Sequence, residues 1–123
     1  MRRLPFLFLS LLLIGACSSG PTPEELASLA AEGYYRHLLN GEYEQFMAGK
    51  DGLDVMPEDY REQMLAAYKQ YMAAQQEAHH GVLDVRVSNA KTDSSLQLTN
   101  VFLVLCFGDS TNEEIAVPMV ERE

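Results

Sequence analysis

Two periodicities divide the chain. From residue 22 to about residue 80, apolar positions recur every three or four residues, as on one face of a helix. From residue 82 onward they alternate, as in strands with one buried side. Thr22-Pro23-Glu24-Glu25 opens the first helix, with threonine at the N-cap, proline in the first turn and Glu25 where a capping-box carboxylate belongs. Its apolar stripe is Leu26, Ala27, Ala30, Ala31, Tyr34 and Leu38, and Asn40-Gly41 ends it with a residue suited to a left-handed cap. A short helix over about 42–48 turns Tyr43, Phe46 and Met47 inward, and a glycine-bounded loop, Gly49–Gly52, follows. Pro57 begins the longest helix, which Gly81 stops near His79 or His80. Its buried stripe is expected at Tyr60, Met64, Ala67, Tyr68, Tyr71, Ala74 and Ala78. A buried phenol needs a partner for its hydroxyl, so this face should meet polar groups or water.

The second half is read as three strands. Val82–Ser88 places Leu83, Val85 and Val87 on one side, with Asp84 and Arg86 on the other, and Asn89–Ser94 has the composition of a turn. Leu96–Phe107 is a long strand with two apolar faces: Val101, Leu103, Leu105 and Phe107 against Phe102, Val104 and Cys106. A sheet with one solvated face alternates apolar with polar. The Phe102, Val104 and Cys106 side therefore calls for a cover, and self-association is the simplest one. Gly108–Asn112 is a hairpin loop, and Glu113–Val120 is a third strand with Ile115, Val117 and Met119 on one side. Pro118 cannot donate to a ladder, which demands an edge or a bulge. Helices followed by an antiparallel meander predict an α+β fold, with the N-terminal helices packed on one face of a curved antiparallel sheet.

The first sixteen residues follow neither pattern. Arg2 and Arg3 precede an apolar run, Leu4–Ile14, too short to cross a bilayer as a helix, and Gly15-Ala16 leads into Cys17. That is a secretory signal ending at a cysteine. Ile14-Gly15-Ala16-Cys17 resembles the lipobox of bacterial lipoproteins. The resemblance implies a signal peptide of residues 1–16, cleavage before Cys17 and acylation of Cys17 on its sulfur and new amino group. Residues 17–21 then form a tether and residues 22–123 the domain. Ser18, where an inner-membrane retention signal would carry aspartate, implies an exported protein lipid-anchored at the outer membrane of the bacterial envelope.

Charge removes several classes of partner. The chain carries −9, and once Arg2 and Arg3 leave with the signal, seven Lys and Arg face eighteen Asp and Glu. Nothing basic is gathered to displace counterions, so nucleic acid is not expected as a partner, and attachment to the membrane must come from the acyl chains at Cys17. With Cys17 acylated, Cys106 has no intrachain partner and the fold must hold without a disulfide.

Candidate chemistry is sparse. His79 and His80 are adjacent on a helix and point about 100° apart, a poor arrangement for one metal. They fit better as cations at a helix C-terminus, and His37 is remote in sequence. An isomerase of the ketosteroid type needs a carboxylate base and hydroxyl donors in an apolar pocket. Tyr34, Tyr68 and Tyr71 could supply hydroxyls and are the candidate ligand-binding residues, but Asp84 falls on the side opposite its strand's apolar stripe. Cys106 sits in an apolar strand with no histidine nearby in sequence. No phosphate-binding glycine loop or metal-spaced set of ligands occurs, so no catalytic residue, no metal and no cofactor is expected.

Tyr34-Tyr-Arg-His-Leu-Leu-Asn-Gly-Glu-Tyr-Glu-Gln-Phe46 resembles the first-helix signature of the nuclear-transport-factor-2-like superfamily. Val101–Phe107, the Gly108-Asp109 turn and Ile115–Val120 resemble the closing meander of its small bacterial lipoproteins, which are lumazine-binding-like or of unknown function. The resemblance implies a conical, cystatin-like fold with a pocket between helices and sheet, often dimeric through the sheet, and it implies no activity. Members continue into a tryptophan-bearing last strand. This chain has Glu121-Arg-Glu123 there and no tryptophan, which is expected to leave the third strand without its usual neighbour. The expectation is a lipid-anchored, non-catalytic binding or interaction module. Its partner would be a small ligand, an envelope protein or a second copy docked on Phe102, Val104 and Cys106. The alternative is a small-molecule pocket protein with isomerase- or hydrolase-type chemistry.

Overall fold

A central strand carries the core. The structure, a computed structural model, describes residues 20–122; the signal, Cys17 and the first part of the tether lie outside the described residues. Among the described residues three helices precede the sheet: α1 (Pro23–Leu39), α2 (Tyr43–Met47) and α3 (Glu58–His79), with a short 3-10 turn at Leu53–Val55. The strands β1 (Val82–Asp93), β2 (Leu98–Phe107) and β3 (Asn112–Met119) form an antiparallel meander in the order β1-β2-β3. Burial along β2 alternates without a break. Thr99, Val101, Leu103, Leu105 and Phe107 are buried beneath the helices, whereas Phe102, Val104 and Cys106 on the outer face are half-buried. Each fully buried aliphatic side chain of this set contributes about 1.5–3 kcal/mol. Thr99, a polar residue buried in the core, shares a hydrogen bond of 2.9 Å with the Thr92 hydroxyl.

The N-terminus of α1 forms as its residues dictate. Thr22 accepts from the Glu25 amide at 3.1 Å, and the Glu25 carboxylate accepts from the Thr22 amide at 2.9 Å, closing the capping box. Asn40 caps the helix, and Gly41 follows at φ 77°. Ala31 is buried on the sheet core, with Ala27, Tyr35 and Leu39 packed around it. Leu26 and Ala30 are exposed, because the side of α1 that carries them faces away from the core. Arg36 ties α1 to the start of β1, donating to Asp84 Oδ1 at 3.0 Å and to the Val85 carbonyl at 3.0 Å.

Three expectations need correction. The turn expected at Asn89–Ser94 is strand as far as Asp93; the reversal is Ser94–Gln97, where Asp93 Oδ1 accepts from Ser95 and Leu96. In β1 the side carrying Val85 does not include Leu83, which is 69% exposed, while Val82 is buried. Register shifts between Val82 and Asp84 and between Val87 and Asn89 insert an extra residue twice, so strict alternation fails there. The stripe of α3 is rotated. The residues turned to the body are Arg61, Leu65, Tyr68, Met72, Gln75 and His79, with Met64 also half-buried, while Tyr60, Ala67, Tyr71, Ala74 and Ala78 are exposed. No residue of α3 is fully buried.

Pro118 takes the position its chemistry requires. It pairs with Asn100 in β3, which is hydrogen-bonded only to β2 among the described strands.

Candidate functional site

A cleft of about 1090 Å³ opens between α1, the connection from α2 to α3, and the end of β3. One wall is small and apolar, made by Ala27, Ala30 and Ala31 of α1, and the opposite wall includes Val117 and Met119. Tyr34 and Tyr68, both expected as ligand-binding residues, line it; Tyr71 is not among its walls. Tyr34 can lie against the loop because Gly49 has no side chain: a Cβ there would stand 2.7 Å from three ring atoms.

Tyr35 is the aromatic that the stripe of α1 did not predict. It meets Phe46 edge to face with ring centroids 5.0 Å apart, and Phe46 meets Tyr68 the same way at 4.9 Å. This relay of three rings joins α1, α2 and α3 at the inner end of the cleft. Burial, then the neighbouring Tyr71 and Tyr68, raises the Tyr35 hydroxyl above the usual phenol range; burial does the same for Tyr68. Both phenols stay protonated and can donate. The signal available in sequence was the pair Tyr34-Tyr35 itself, whose members point about 100° apart and so serve cleft and core separately.

The rim is ionic. Arg61 reaches Glu44 at 2.6 Å, and Arg122 grips Asp51 through two bonds of 3.0 and 2.9 Å, with the Asp51 carboxyl held below its ordinary range by that arginine. The second pair joins the loop after α2 to the segment leaving β3, so it bridges two walls. Both ends are solvated, so it orders the rim more than it stabilises the fold.

The other candidates are dispersed. Asp84 is held by Arg36, and the Val85 amide, followed by that arginine, lowers its carboxyl. Cys106 lies half-buried on the outer sheet face, in line with Phe102 and Val104 and flanked across the ladder by Asp84 and Asn112. His79 and His80 part company. His79 stacks on Phe107 at 4.7 Å and bonds Asp109 at 2.8 Å, whereas His80 takes a left-handed conformation that closes α3. His37 contacts Glu42 at 2.8 Å. Among the described residues no group of three or more His, Cys, Asp or Glu is placed to share a metal ion. The cleft can therefore hold an apolar body against alanine and aromatic walls, and offer neutral hydroxyls and paired charges to a polar end.

No protein-family model matches the chain, and no curated protein matches it in sequence. A solved structure does match in fold: a crystal structure of a Campylobacter jejuni protein provisionally named an NTF2-like transpeptidase, with a TM-score of 0.54 at 15% identity. The match covers 72% of this chain and 83% of that one. At that identity the likeness establishes the fold, which is NTF2-like, and the activity in the name belongs to the other protein.

Proposed function

We propose that this chain is a binding module of the cell envelope, acylated at Cys17 and holding a small ligand in the cleft beside Tyr34 and Tyr68. The single observation that carries the reading is the open cleft, whose volume lies just above the range typical of small-molecule sites. Its alanine wall leaves room, Tyr35 and Tyr68 are protonated donors, and its arginines Arg61 and Arg122 are occupied by carboxylates. A ligand with an apolar or aromatic body and one hydrogen-bonding end fits that inventory best. The anchor rests on Arg2, Arg3, the Leu4–Ile14 run and the Ile14-Gly15-Ala16-Cys17 sequence. Acid–base chemistry in the same cleft is the weaker reading, because Asp51 on its wall is committed to Arg122, and Asp84, held by Arg36, lies outside it.

Native mass spectrometry of the full chain purified from its host tests the ligand. A small molecule should accompany the wild type and be absent from Ala30→Trp, which fills the cleft from an exposed helix position. A ligand retained by Ala30→Trp, or none in the wild type, refutes the cleft reading. Membrane fractionation tests the anchor separately: Cys17→Ser should leave the membrane fraction, and unchanged fractionation refutes acylation.

A further inference from the structure

The longest helix carries two stripes at helical spacing, of which only the second is built mainly from apolar residues. One faces the body of the protein, at Arg61, Leu65, Tyr68, Met72, Gln75 and His79. The other, Tyr60, Met64, Ala67, Tyr71, Ala74 and Ala78, has the same four-three spacing and lies about 100° round the helix. This second stripe is what makes α3 amphipathic in sequence, yet it is turned to solvent: Tyr60 is 50% exposed, Tyr71 38% exposed, and its alanines are exposed. Met64 is half-buried and Tyr71 is partly shielded on its body side, while Tyr60 and the three alanines stand open.

We infer that this stripe is a self-association surface, with α3 of one copy packed antiparallel against α3 of a second. The order of side-chain sizes points to that occupant. With a two-fold axis passing midway between Ala67 and Tyr71, Tyr60 stands level with Ala78 of the second copy, Met64 with Ala74, and Ala67 with Tyr71. Every large residue meets a small one, which lets knobs enter holes and the axes approach closely. A parallel pairing sets Tyr60 on Tyr60, Met64 on Met64 and Tyr71 on Tyr71, and leaves alanine facing alanine, so layers of crowding alternate with gaps. A surface complementary to itself under a two-fold rotation is what a closed dimer requires.

Charge agrees with the antiparallel choice. Glu58 and Asp59 occupy the first turn of α3, and His79 and His80 lie at its far end. Antiparallel packing keeps the two acidic starts apart, sets each near the exposed His80 of the other copy, and opposes the two helix dipoles. Parallel packing gathers four carboxylates at one end in a chain that already carries −9. The outer sheet face carries charge on both sides of its apolar row. Across the ladder, Arg86 and Glu114 stand on either side of Val104, and Ser88 bonds Glu114 at 2.7 Å over that face.

Sedimentation equilibrium of the full chain in density-matched detergent tests the inference. The wild type should be a dimer. Ala74→Glu should weaken it at least about tenfold, because it puts bulk and charge where Met64 of the second copy must fit. Tyr60→Ala should also weaken it, and Tyr60→Ala combined with Ala78→Tyr should restore it, since the exchange reverses which copy supplies the large residue. Helical circular dichroism of each variant should match the wild type, since these positions are exposed. Val104→Glu, on the outer sheet face, should leave the dimer intact. A monomeric wild type, a dimer lost in Val104→Glu but kept in Ala74→Glu, or failure of the double exchange to recover association overturns the proposal.

Discussion

Asp109 shows how much one carboxylate can organise. It follows β2 and accepts from the Thr111 hydroxyl at 2.5 Å, the Thr111 amide at 3.0 Å and His79 at 2.8 Å, while its own amide donates to the His79 carbonyl at 3.0 Å. The Thr111 hydroxyl, then His79 and the Thr111 amide, holds its carboxyl far below the ordinary carboxylate range. Gly108 must precede it, since a Cβ there would run into the His80 backbone, and its amide donates to the Gly81 carbonyl at 2.9 Å. Together these contacts latch the end of α3 to the turn between β2 and β3. A carboxyl lowered by folding adds stability above its unfolded pKa of about 4 and loses it as pH falls through the folded value. Asp109→Asn should therefore melt below the wild type at pH 7, with the gap steady down to about pH 4 and closing as acid is added below that. Melting curves from pH 2 to 7 check this, and a gap independent of pH would mean that the charge has no part in the latch.

At the scale of elements, α3 is the exception. It is the longest helix, yet it has no fully buried residue and is held by the His79 latch, the Arg61–Glu44 pair and the contact of Phe46 with Tyr68. Phe46→Ala removes two edge-to-face ring pairs at about 0.5–1.5 kcal/mol each, so α3 should loosen first. Hydrogen exchange should quicken about tenfold or more across α3 and much less across β2; equal acceleration in both would mean that α3 does not open as a unit. Its length and limits were legible in sequence, from Pro57 to Gly81, because proline and glycine act locally. Its facing was not. Tyrosines and alanines dominated the apolar reading, whereas the helix meets the body through the stems of Arg61 and Gln75 and through a histidine stacked on Phe107. The strand β2 was legible from Leu98 to Phe107, since one ladder on each side enforces period two, but its expected start at Leu96 falls in the turn. The cleft was legible only through Tyr34 and Tyr68. Its other walls come together from the ends of α1 and β3 and the loop after α2, which no local pattern relates.

For the molecule as a whole, an α+β order with the helices on one face of the sheet was readable from the change of period near residue 81, and an NTF2-like crystal structure shares the arrangement. The two shifts in β1 were not readable, because Leu83, Val85 and Val87 alternate in sequence straight through the first and no residue type marks the extra position in either. They have a consequence for how the gene can change length. Leu83 and Ser88 are the residues that β1 carries beyond what β2 can pair: Val82 opposes Phe107, Asp84 opposes Cys106, Val87 opposes Leu103 and Asn89 opposes Phe102. An in-frame loss of codon 83 or 88 leaves every remaining partnership in place. The same loss at Val104 turns one end of β2 inside out, exchanging buried for outer residues through the rest of the strand. Deletion variants at 83 and 88 should express soluble, cooperatively melting protein, and the deletion at 104 should not. The sheet thus carries its tolerance for lost residues in its first strand, while the central strand has none.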